Sequence, residues 1–497
     1  MPYTLLISLL LPALGFPLVY LAGRKSAKAA AIAIALITIA NLALILTTVP
    51  AVLNNSNNRY EEFYDWIPVF NSQFSLFVDG ISLSMVILTL TIVLAAVIFS
   101  INYMHGRKNL ATYYALISLL SVGLVGVFIA SNLLLFYFCW ELMIVPAYFI
   151  LGNWGYKDSY KAAFKFFIYT HAGAVFIVLG IGGIFMLTNT LDMSRAAQLL
   201  MSANPEYVKY ILIAVTAGFA VKMAIVPIHS WLPDAHSEAP APLSALLSGV
   251  LISAGAYAII RISLGTVLPA LVANSAAFAT DFLYGLAIFG VISAFFGSFL
   301  ALRETDIKRV MAYSSICHMG YIMFGLSLFP IQIAMNGVVL QIITHGVSKG
   351  LFFLSAGAII HQVSTRDMRE MGGLAGKMPT TATASIIAAL SLAGTPPFAC
   401  FISEALIFVG AFQMIMTAGG SFYIIPTALM LIATVLSLAY SLRFISNVFF
   451  GQPKTEAKTV DVPKFMKVGM IILAVLTVII GIYPTFFLNL IGTVHFI

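Results

Sequence analysis

Six ionisable side chains inside long apolar segments of the sequence are candidates for chemistry. They are Glu141, Lys222, His318, His345, Lys349 and Glu404. A charge at the centre of a bilayer costs at least about 2.5 kcal/mol, so each of these residues is a functional candidate by default. Carboxylates, lysines and histidines at one depth can pass protons through water, because each charge shifts the pKa of its neighbours. The residue types therefore predict a relay for protons or another cation.

Two of these residues adjoin sequences that interrupt helices. Lys222 precedes a proline-rich stretch that runs from 227 to 242, and Glu404 follows the sequence GTPP at 394 to 397. A broken helix at membrane depth is tolerated only where protein or a water-filled cavity satisfies the freed carbonyls, and transporters build ion sites at such breaks. The purely structural alternatives are an ion pair or a neutral hydrogen-bonded carboxyl for Glu141, and a Lys222 side chain that extends to the surface.

The spacing of the others adds further detail. His345 and Lys349 are four residues apart and share one helix face. Glu141 has no charged neighbour in its own segment, so it can pair only across helices. A single histidine in a helix is usually a packing residue, and we expect this of His171. Arg261 lies near a segment end, so we expect its side chain to reach towards the membrane surface.

The elements that carry these residues must be membrane helices. The chain has 497 residues, of which 61% are hydrophobic and only 9% charged, with a mean hydropathy of +1.02. Soluble domains carry about a quarter charged residues. The apolar stretches are continuous rather than alternating, which excludes a membrane barrel. The sequence therefore predicts an all-α integral membrane protein, in which each helix satisfies its own backbone.

About twenty apolar residues cross a bilayer, and this measure gives fourteen spans. They lie near 3–22, 29–50, 81–102, 111–130, 132–151, 165–188, 208–228, 241–264, 278–302, 310–328, 332–360, 381–415, 424–449 and 468–492. Of the 25 lysines and arginines, three lie within spans, three fall in loops on one side, and the other nineteen fall on the opposite side. The positive-inside rule then places both termini outside. The net charge of +7 comes from basic residues in loops that set this orientation, so we expect no nucleic-acid partner.

The two interrupted spans are the seventh and the twelfth. An odd offset of five helices inverts the second copy, which predicts two inverted five-helix repeats. We expect helices one to three with an outer cap loop in 1–110, the first repeat in 111–264 and the second in 278–449. An inner loop and the last helix occupy 450–497. The cysteines Cys139, Cys317 and Cys400 lie far apart, so we expect no metal site and no disulfide.

Five motifs together resemble the antiporter-like subunits of respiratory complex I and its relatives. They are FYFCWELMIVPAYFI at 136–150, PIHSWLPDAHSEAPAP at 227–242, ETDIKRVMAYSSICHMGYI at 304–322, THGVSKGLFF at 344–353 and TRDMREMGGLAGKMP at 365–379. The motifs occur in the family's order, and the resemblance extends over nearly the whole chain. The closest resemblance is to the M type, the mitochondrial chain-4 type. The wider family includes archaeal F(420)H(2) dehydrogenase, membrane-bound hydrogenases and multisubunit sodium/proton antiporters.

The resemblance implies a role for each candidate residue. Glu141 and Lys222 would form a gate pair joined by an ion pair, and Glu404 would release the proton outward. His318 and His345 would lie on a central polar axis, with Lys349 beside them. Ser253 stands where many M-type chains carry a lysine, so His345 and Lys349 would bridge the half-channels instead.

The function implied is outward proton pumping, driven by electron transfer in other subunits of a dehydrogenase that reduces quinone or methanophenazine. This chain would be a non-redox membrane subunit, without a cofactor or metal of its own. Its partners would be other membrane subunits, further antiporter-like subunits among them, and a quinone-reductase module. Iron-sulfur clusters and flavin would sit in partner subunits. The location would be the cell membrane or an organelle inner membrane.

Other functions stay open on the residues alone. A subunit of a multisubunit sodium/proton antiporter or of a membrane-bound hydrogenase would use the same carboxylates. A free-standing antiporter or solute carrier would exchange ions without partners. His318 and His345 could hold a haem between neighbouring helices, and a visible absorption band would reveal it. A scaffold subunit would leave Glu141, Lys222 and Glu404 unexplained.

Overall fold

The computed structural model describes residues 3–54, 58–70, 72–417, 419–453 and 460–492, and most of them lie in helices. The helices and strands are, in chain order, α1 (Thr4–Lys25), α2 (Ala27–Leu46), α3 (Val49–Asn54), β1 (Arg59–Ile67), β2 (Ser72–Asp79), α4 (Gly80–Tyr103), α5 (Leu110–Ile129), α6 (Leu133–Trp154), α7 (Ser159–Thr188), α8 (Met193–Leu200), α9 (Pro205–Lys222), α10 (Trp231–Glu238), α11 (Ala241–Asn274), α12 (Ala276–Arg303), α13 (Ile307–Ser327), α14 (Gln332–Val363), α15 (Pro379–Leu392), α16 (Ala399–Ile415), α17 (Ile424–Phe449), α18 (Lys464–Ile482) and α19 (Thr485–Ile491).

The helical membrane class predicted from composition is confirmed. In the described residues, eleven helical segments are long and apolar enough to cross a membrane. The predicted spans at 208–228, 310–328 and 381–415 fall on helices that do not meet that measure, because α15 and α16 are short and α9 and α13 are more polar. The total of fourteen spans and the inverted repeats therefore stay predictions. Lys454 and Lys458, two of the basic residues assigned to the inner side, lie outside the described residues.

Polar side chains start several of these helices. Asn132 accepts hydrogen bonds from the backbone N–H groups of Leu134 and Leu135 at the start of α6. Asp306 does the same for the first turn of α13. Such caps satisfy donors that a helix cannot satisfy within itself, and each contributes about 1 kcal/mol.

The described residues between α3 and α4 form a β-hairpin. Strands β1 and β2 pair antiparallel, with Glu62 opposite Leu76. The Glu62 carboxylate accepts hydrogen bonds from the backbone N–H groups of Leu5 and Leu6, at 2.9 and 3.0 Å. These bonds satisfy two free donors at the start of α1 and fix the hairpin to that helix.

Two helices, α11 and α14, form the centre of the bundle. Every residue in their most apolar stretches is buried. They approach closely at Gly249 and Gly346, where a side chain on either glycine would collide with the backbone carbonyl of the other. Small residues permit such contacts between membrane helices. Because α14 carries His345 and Lys349, this packing holds both residues inside the protein and away from lipid.

Candidate functional site

Glu141 forms a cross-helix pair, but with an unexpected partner. It lies on α6, and its Oε2 is 3.2 Å from Nε2 of His171 on the neighbouring helix α7. The imidazole of His171 also stacks on Phe167, with ring centroids 4.0 Å apart. His171 therefore packs against a neighbouring ring, as expected, and also pairs with Glu141, which the sequence did not predict. The histidine can accept a proton from Glu141 or donate one to it.

Lys222 has no hydrogen bond or ion pair within the described part of the chain. Its side chain is fully buried at the end of α9, and Nζ lies 5.4 Å from the ring of Trp140 and 5.7 Å from that of Phe166. The expected Glu141–Lys222 ion pair is therefore not formed in this structure, because Glu141 turns to His171. Aromatic faces stabilise a cation without fixing it to one partner.

The break after α9 is where the sequence predicted it. The helix ends at Lys222, and α10 begins only at Trp231. The indole N–H of Trp231 donates to the carbonyl of Val221 at 3.0 Å, and the N–H of Val226 donates to Ser293 Oγ at 3.1 Å. These bonds satisfy part of the backbone that the break exposes, which is the condition for irregular chain at membrane depth.

The second cluster joins four helices, α13, α14, α16 and α17. His318 on α13 lies with its Nδ1 3.9 Å from Oε1 of Glu404 on α16. Gln341 on α14 places its amide nitrogen 3.4 Å from the same Nδ1, while its Oε1 accepts a hydrogen bond from Ser403. Tyr440 Oη is 3.5 Å from the other ring nitrogen. His318 is thus in contact with groups that can exchange or relay a proton.

His345 and Lys349 continue this cluster along α14. The rings of His318 and His345 lie 5.4 Å apart, and neither nitrogen of His345 has a hydrogen-bond partner among the described residues. The ammonium of Lys349 donates to the carbonyl of Met311 at 2.9 Å and to Ser314 Oγ. The structure therefore gathers four of the six predicted residues, namely His318, His345, Lys349 and Glu404, in one buried region.

The break before Glu404 has its own stabilising contacts. Helix α15 ends at Leu392 and α16 begins at Ala399. Thr395 Oγ1 donates to the carbonyl of Leu390 at 2.7 Å. Gly394 adopts a left-handed φ of 65°, and a Cβ at that position would collide with the carboxylate of Glu404. Only glycine can adopt this left-handed backbone and also leave room for the carboxylate, so Gly394 limits where the Glu404 side chain can lie.

Glu141, His171 and Lys222 form the first cluster. Helix α11 separates it from the second cluster and packs against both α9 and α14. It contains π-helical turns at Leu247–Leu251 and Ile259–Val267, which are features common at functional sites. Ser253 lies between these turns, and its Oγ is 3.4 Å from the carbonyl of Gly249. Ser248 hydrogen-bonds Ser315 at 2.9 Å. In the ranges that the structure describes, no side-chain hydrogen bond or ion pair joins the two clusters directly.

Three polar residues near the second cluster were missed from the sequence. His236 is fully buried against the ring of Phe353, and it interacts electrostatically with Lys308 and Lys349. Lys308 is buried as well and donates to the carbonyl of Ala239. Gln341 lies four residues before His345, so helical spacing alone could have identified it. His236 and Lys308 meet only through the tertiary fold.

Arg261 does not extend to the surface as expected. Its side chain is only 2% exposed and pairs with Asp79 at the start of α4. Its guanidinium also lies near the rings of Phe77 and Tyr257. Two charges removed from water are tolerated when they pair with good geometry, so Asp79 explains why Arg261 is buried.

The chemistry available here is proton transfer. Among the described residues, no group of three His, Cys, Asp or Glu side chains could hold a metal ion. Cys139, Cys317 and Cys400 are free and buried. The two clusters consist of acids and bases, and each lies beside a helix break. Hydroxyl and amide groups are near them.

Comparisons with known proteins give relatives along most of the chain. A family model described as NADH:quinone oxidoreductase/Mrp antiporter, TM, matches residues 130–431, and one described as NADH-ubiquinone oxidoreductase (complex I), chain 5 N-terminus, matches 66–114. NADH-quinone oxidoreductase subunit M of Pseudomonas aeruginosa is 35% identical over 84% of this chain and 81% of its own. F(420)H(2) dehydrogenase subunit M of Methanosarcina mazei is 32% identical over 90% of this chain and 88% of its own.

Solved structures agree in fold. A chain of the archaeal membrane-bound sulfane sulfur reductase aligns with a TM-score of 0.86 and 27% identity, over 98% of this chain and 77% of that one. A chain of respiratory complex I from Thermus thermophilus aligns with a TM-score of 0.83 and 20% identity, over 98% of this chain and 100% of that one. The latter likeness concerns the fold alone.

Proposed function

Since the chain belongs to the family of membrane subunits shared by NADH:quinone oxidoreductase and the Mrp antiporters, we propose that it moves protons outward across its membrane while partner subunits transfer electrons. The resemblance seen in the five motifs is thereby confirmed at the level of the family. Relatives named subunit M of NADH-quinone oxidoreductase and of F(420)H(2) dehydrogenase support a complex that oxidises one of these donors and reduces quinone or methanophenazine.

The observation that carries the proposal is that the six residues lie in two groups, each of which includes a helix break. Lys222 ends α9 at the first break, with its Nζ 5.4 Å from the ring of Trp140, the residue before Glu141, and His318 lies beside Glu404 at the second. A pump needs groups that change partners, and backbone breaks permit such changes without unfolding a helix. If the ionisable residues served only as structural ion pairs, neither helix break would be needed.

The proposed cycle begins at Glu141. The carboxylate holds His171 in this structure, which leaves Lys222 free of an anionic partner in the described chain. Movement of Glu141 towards Lys222 would favour the protonated lysine, and its return to His171 would release that proton. Water would then carry it past α11 to Lys349 and His345, and Glu404 would release it outward.

The finer organisation is part of the same proposal. We place fourteen spans in the chain, with inverted repeats at 111–264 and 278–449 and both termini outside. The chain would hold no cofactor, since electron transfer would use iron-sulfur clusters and flavin in partner subunits. Further antiporter-like subunits and a quinone-reductase module would assemble with it in the cell membrane or an organelle inner membrane.

The test uses the complex purified from its own membrane and placed in sealed vesicles. Electron transfer and proton uptake are measured together, the second with a pH-sensitive dye. We expect Glu141→Gln to abolish or sharply reduce proton uptake while the complex still assembles. The matched control is Glu370→Gln, because Glu370 is an exposed carboxylate outside the spans. Normal pumping by Glu141→Gln would reject the assignment.

A second candidate is a subunit of an Mrp-type sodium/proton antiporter or of a membrane-bound hydrogenase. The matching family model names both NADH:quinone oxidoreductase and the Mrp antiporters. Mild purification followed by mass spectrometry separates the two proposals. Iron-sulfur and quinone-reductase subunits that purify with the chain would support the dehydrogenase. Small antiporter subunits and a sodium-dependent exchange would support the alternative.

A further inference from the structure

A lateral groove opens on the side of the bundle between α9 and α12. Its volume is about 430 Å³, which lies within the rough range of 300–1,000 Å³ for small-molecule sites. Its walls are apolar apart from Thr216 and Asp281, and its inner wall includes Ile225 and Val226 from the break after α9. The groove thus lies directly beside the chain segment that follows Lys222.

The groove opens on the apolar outer surface of the bundle. Ile213 and Phe289, which line it, are 49% and 46% exposed on the bundle surface. Helix α12 is long and apolar enough to cross the membrane. Gly285 lies in the groove wall, and a Cβ added there would meet no atom within 4 Å. The space above Gly285 is therefore open to a flexible hydrocarbon chain.

Both signs of charge occur at one end of this groove. Asp281 lines it, is exposed, and has no hydrogen bond or ion pair in the part of the chain described. Phe278 lines the same end, and Nζ of Lys209 lies 5.4 Å from its ring. Lys209 pairs with Glu206 at 2.5 Å but stays partly exposed. A head group that carries an ammonium and a phosphate would complement Asp281 and Lys209.

We propose that this groove binds one hydrocarbon chain of a phospholipid with an ethanolamine head group. The ammonium would pair with Asp281 and the phosphate with Lys209, while the chain would lie over Gly285 and against the break at 225–228. An apolar groove without the two charges would accept any lipid, whereas Asp281 favours a cationic group. The inference concerns binding, and it stands whether or not the chain pumps protons.

The experiment uses the assembled complex and a phosphatidylethanolamine probe with a photoreactive diazirine on its acyl chain. After irradiation, mass spectrometry maps the labelled peptides. We expect labelling within residues 278–289. Gly285→Leu fills the open space and should reduce that labelling about tenfold, which corresponds to a loss of 1.4 kcal/mol in binding. The matched control is Gly182→Leu, since Gly182 is exposed on α7 and equally free of neighbours; it should label like the native chain.

A second arm tests the head group and does not depend on the folding of the Gly285 variant. Unlabelled phosphatidylethanolamine should compete for the groove better than phosphatidylglycerol, and Asp281→Asn should remove this preference. Unchanged labelling in Gly285→Leu, equal competition by both lipids, or an absence of labelling because a partner subunit covers the groove would each overturn the proposal.

Discussion

The Nε2 atom of His171 lies 3.2 Å from the Glu141 carboxylate, and this contact takes the place that an ion pair with Lys222 would occupy. Among the residues that the structure describes, Lys222 has no hydrogen-bond partner, and its ammonium faces the rings of Trp140 and Phe166. In the proposed cycle, two basic groups on α7 and α9 would compete for one carboxylate on α6. Glu141 would then have two arrangements, in which it holds either His171, as in this structure, or Lys222.

The first prediction concerns His171. We expect His171→Gln to leave electron transfer intact and to lower the protons moved per electron, because it removes the basic group that pairs with Glu141 in the proposed cycle. The measurement is the ratio of proton uptake to electron transfer in vesicles. His361→Gln serves as the control, since that histidine is exposed at the end of α14. Equal ratios in both variants would show that His171 only packs.

The second prediction concerns Gly394. An alanine there must adopt a left-handed backbone, which costs about 1–2 kcal/mol, and its Cβ would displace the Glu404 carboxylate. We expect Gly394→Ala to reduce proton uptake about tenfold in a complex that still assembles. Gly376→Ala is the matched control, because a Cβ there meets nothing within 4 Å. If the two variants pump equally, the position of Glu404 is not critical.

Sequence reasoning identified the residues that lipid would not tolerate. Glu141, Lys222, Lys349 and Glu404 stand out because each is a charge in an apolar segment, and prolines mark both breaks. The class of fold followed from composition for the same reason. These signals are local, so a single chain reveals them.

Pairing was harder to predict, because it depends on contacts between helices distant in sequence. His171 looked like a packing residue since its partner Glu141 is on another helix. Arg261 looked free to reach the surface, although Asp79, 182 positions away, holds it inside. His236 and Lys308 come together only when α10 packs against α13. No periodicity in one segment contains that information.

The third prediction concerns the Arg261–Asp79 pair. Removing one partner leaves a buried charge unpaired, which costs about 3–5 kcal/mol. We expect Arg261→Met and Asp79→Asn each to lower the temperature at which the chain leaves its complex. The asparagine keeps an oxygen that can accept the hydrogen bond from Ser82 at the start of α4. In the double variant the losses should not add, because both remove the same interaction. Additive losses would show that the two residues act separately.

The fourth prediction concerns pH and Asp461, in the loop before α18. Burial tends to raise the pKa of this carboxyl, but hydrogen bonds from Thr381 and from the backbone of Thr380 and Val462 outweigh it and hold the pKa below the usual 3.8. A lowered pKa means stability that is present above 3.8 and lost as pH falls through the lower folded value. Asp461→Asn should therefore destabilise the complex equally across neutral pH, with a difference that disappears only in strong acid. A difference that changes near neutrality would contradict this.

The fifth prediction separates stability from transport at Lys222. Methionine has a similar length, and replacing a buried charge that lacks an ionic partner by an apolar group is often neutral or stabilising. We expect Lys222→Met to assemble with unchanged or higher thermal stability and to lose proton uptake. Lys349→Met is the comparison, because it removes the hydrogen bonds that this ammonium donates to the carbonyl of Met311 and to the hydroxyl of Ser314. That loss should cost about 1–3 kcal/mol. Equal destabilisation by both variants would mean that Lys222 has a structural partner, and the proposed exchange at Glu141 would then fail.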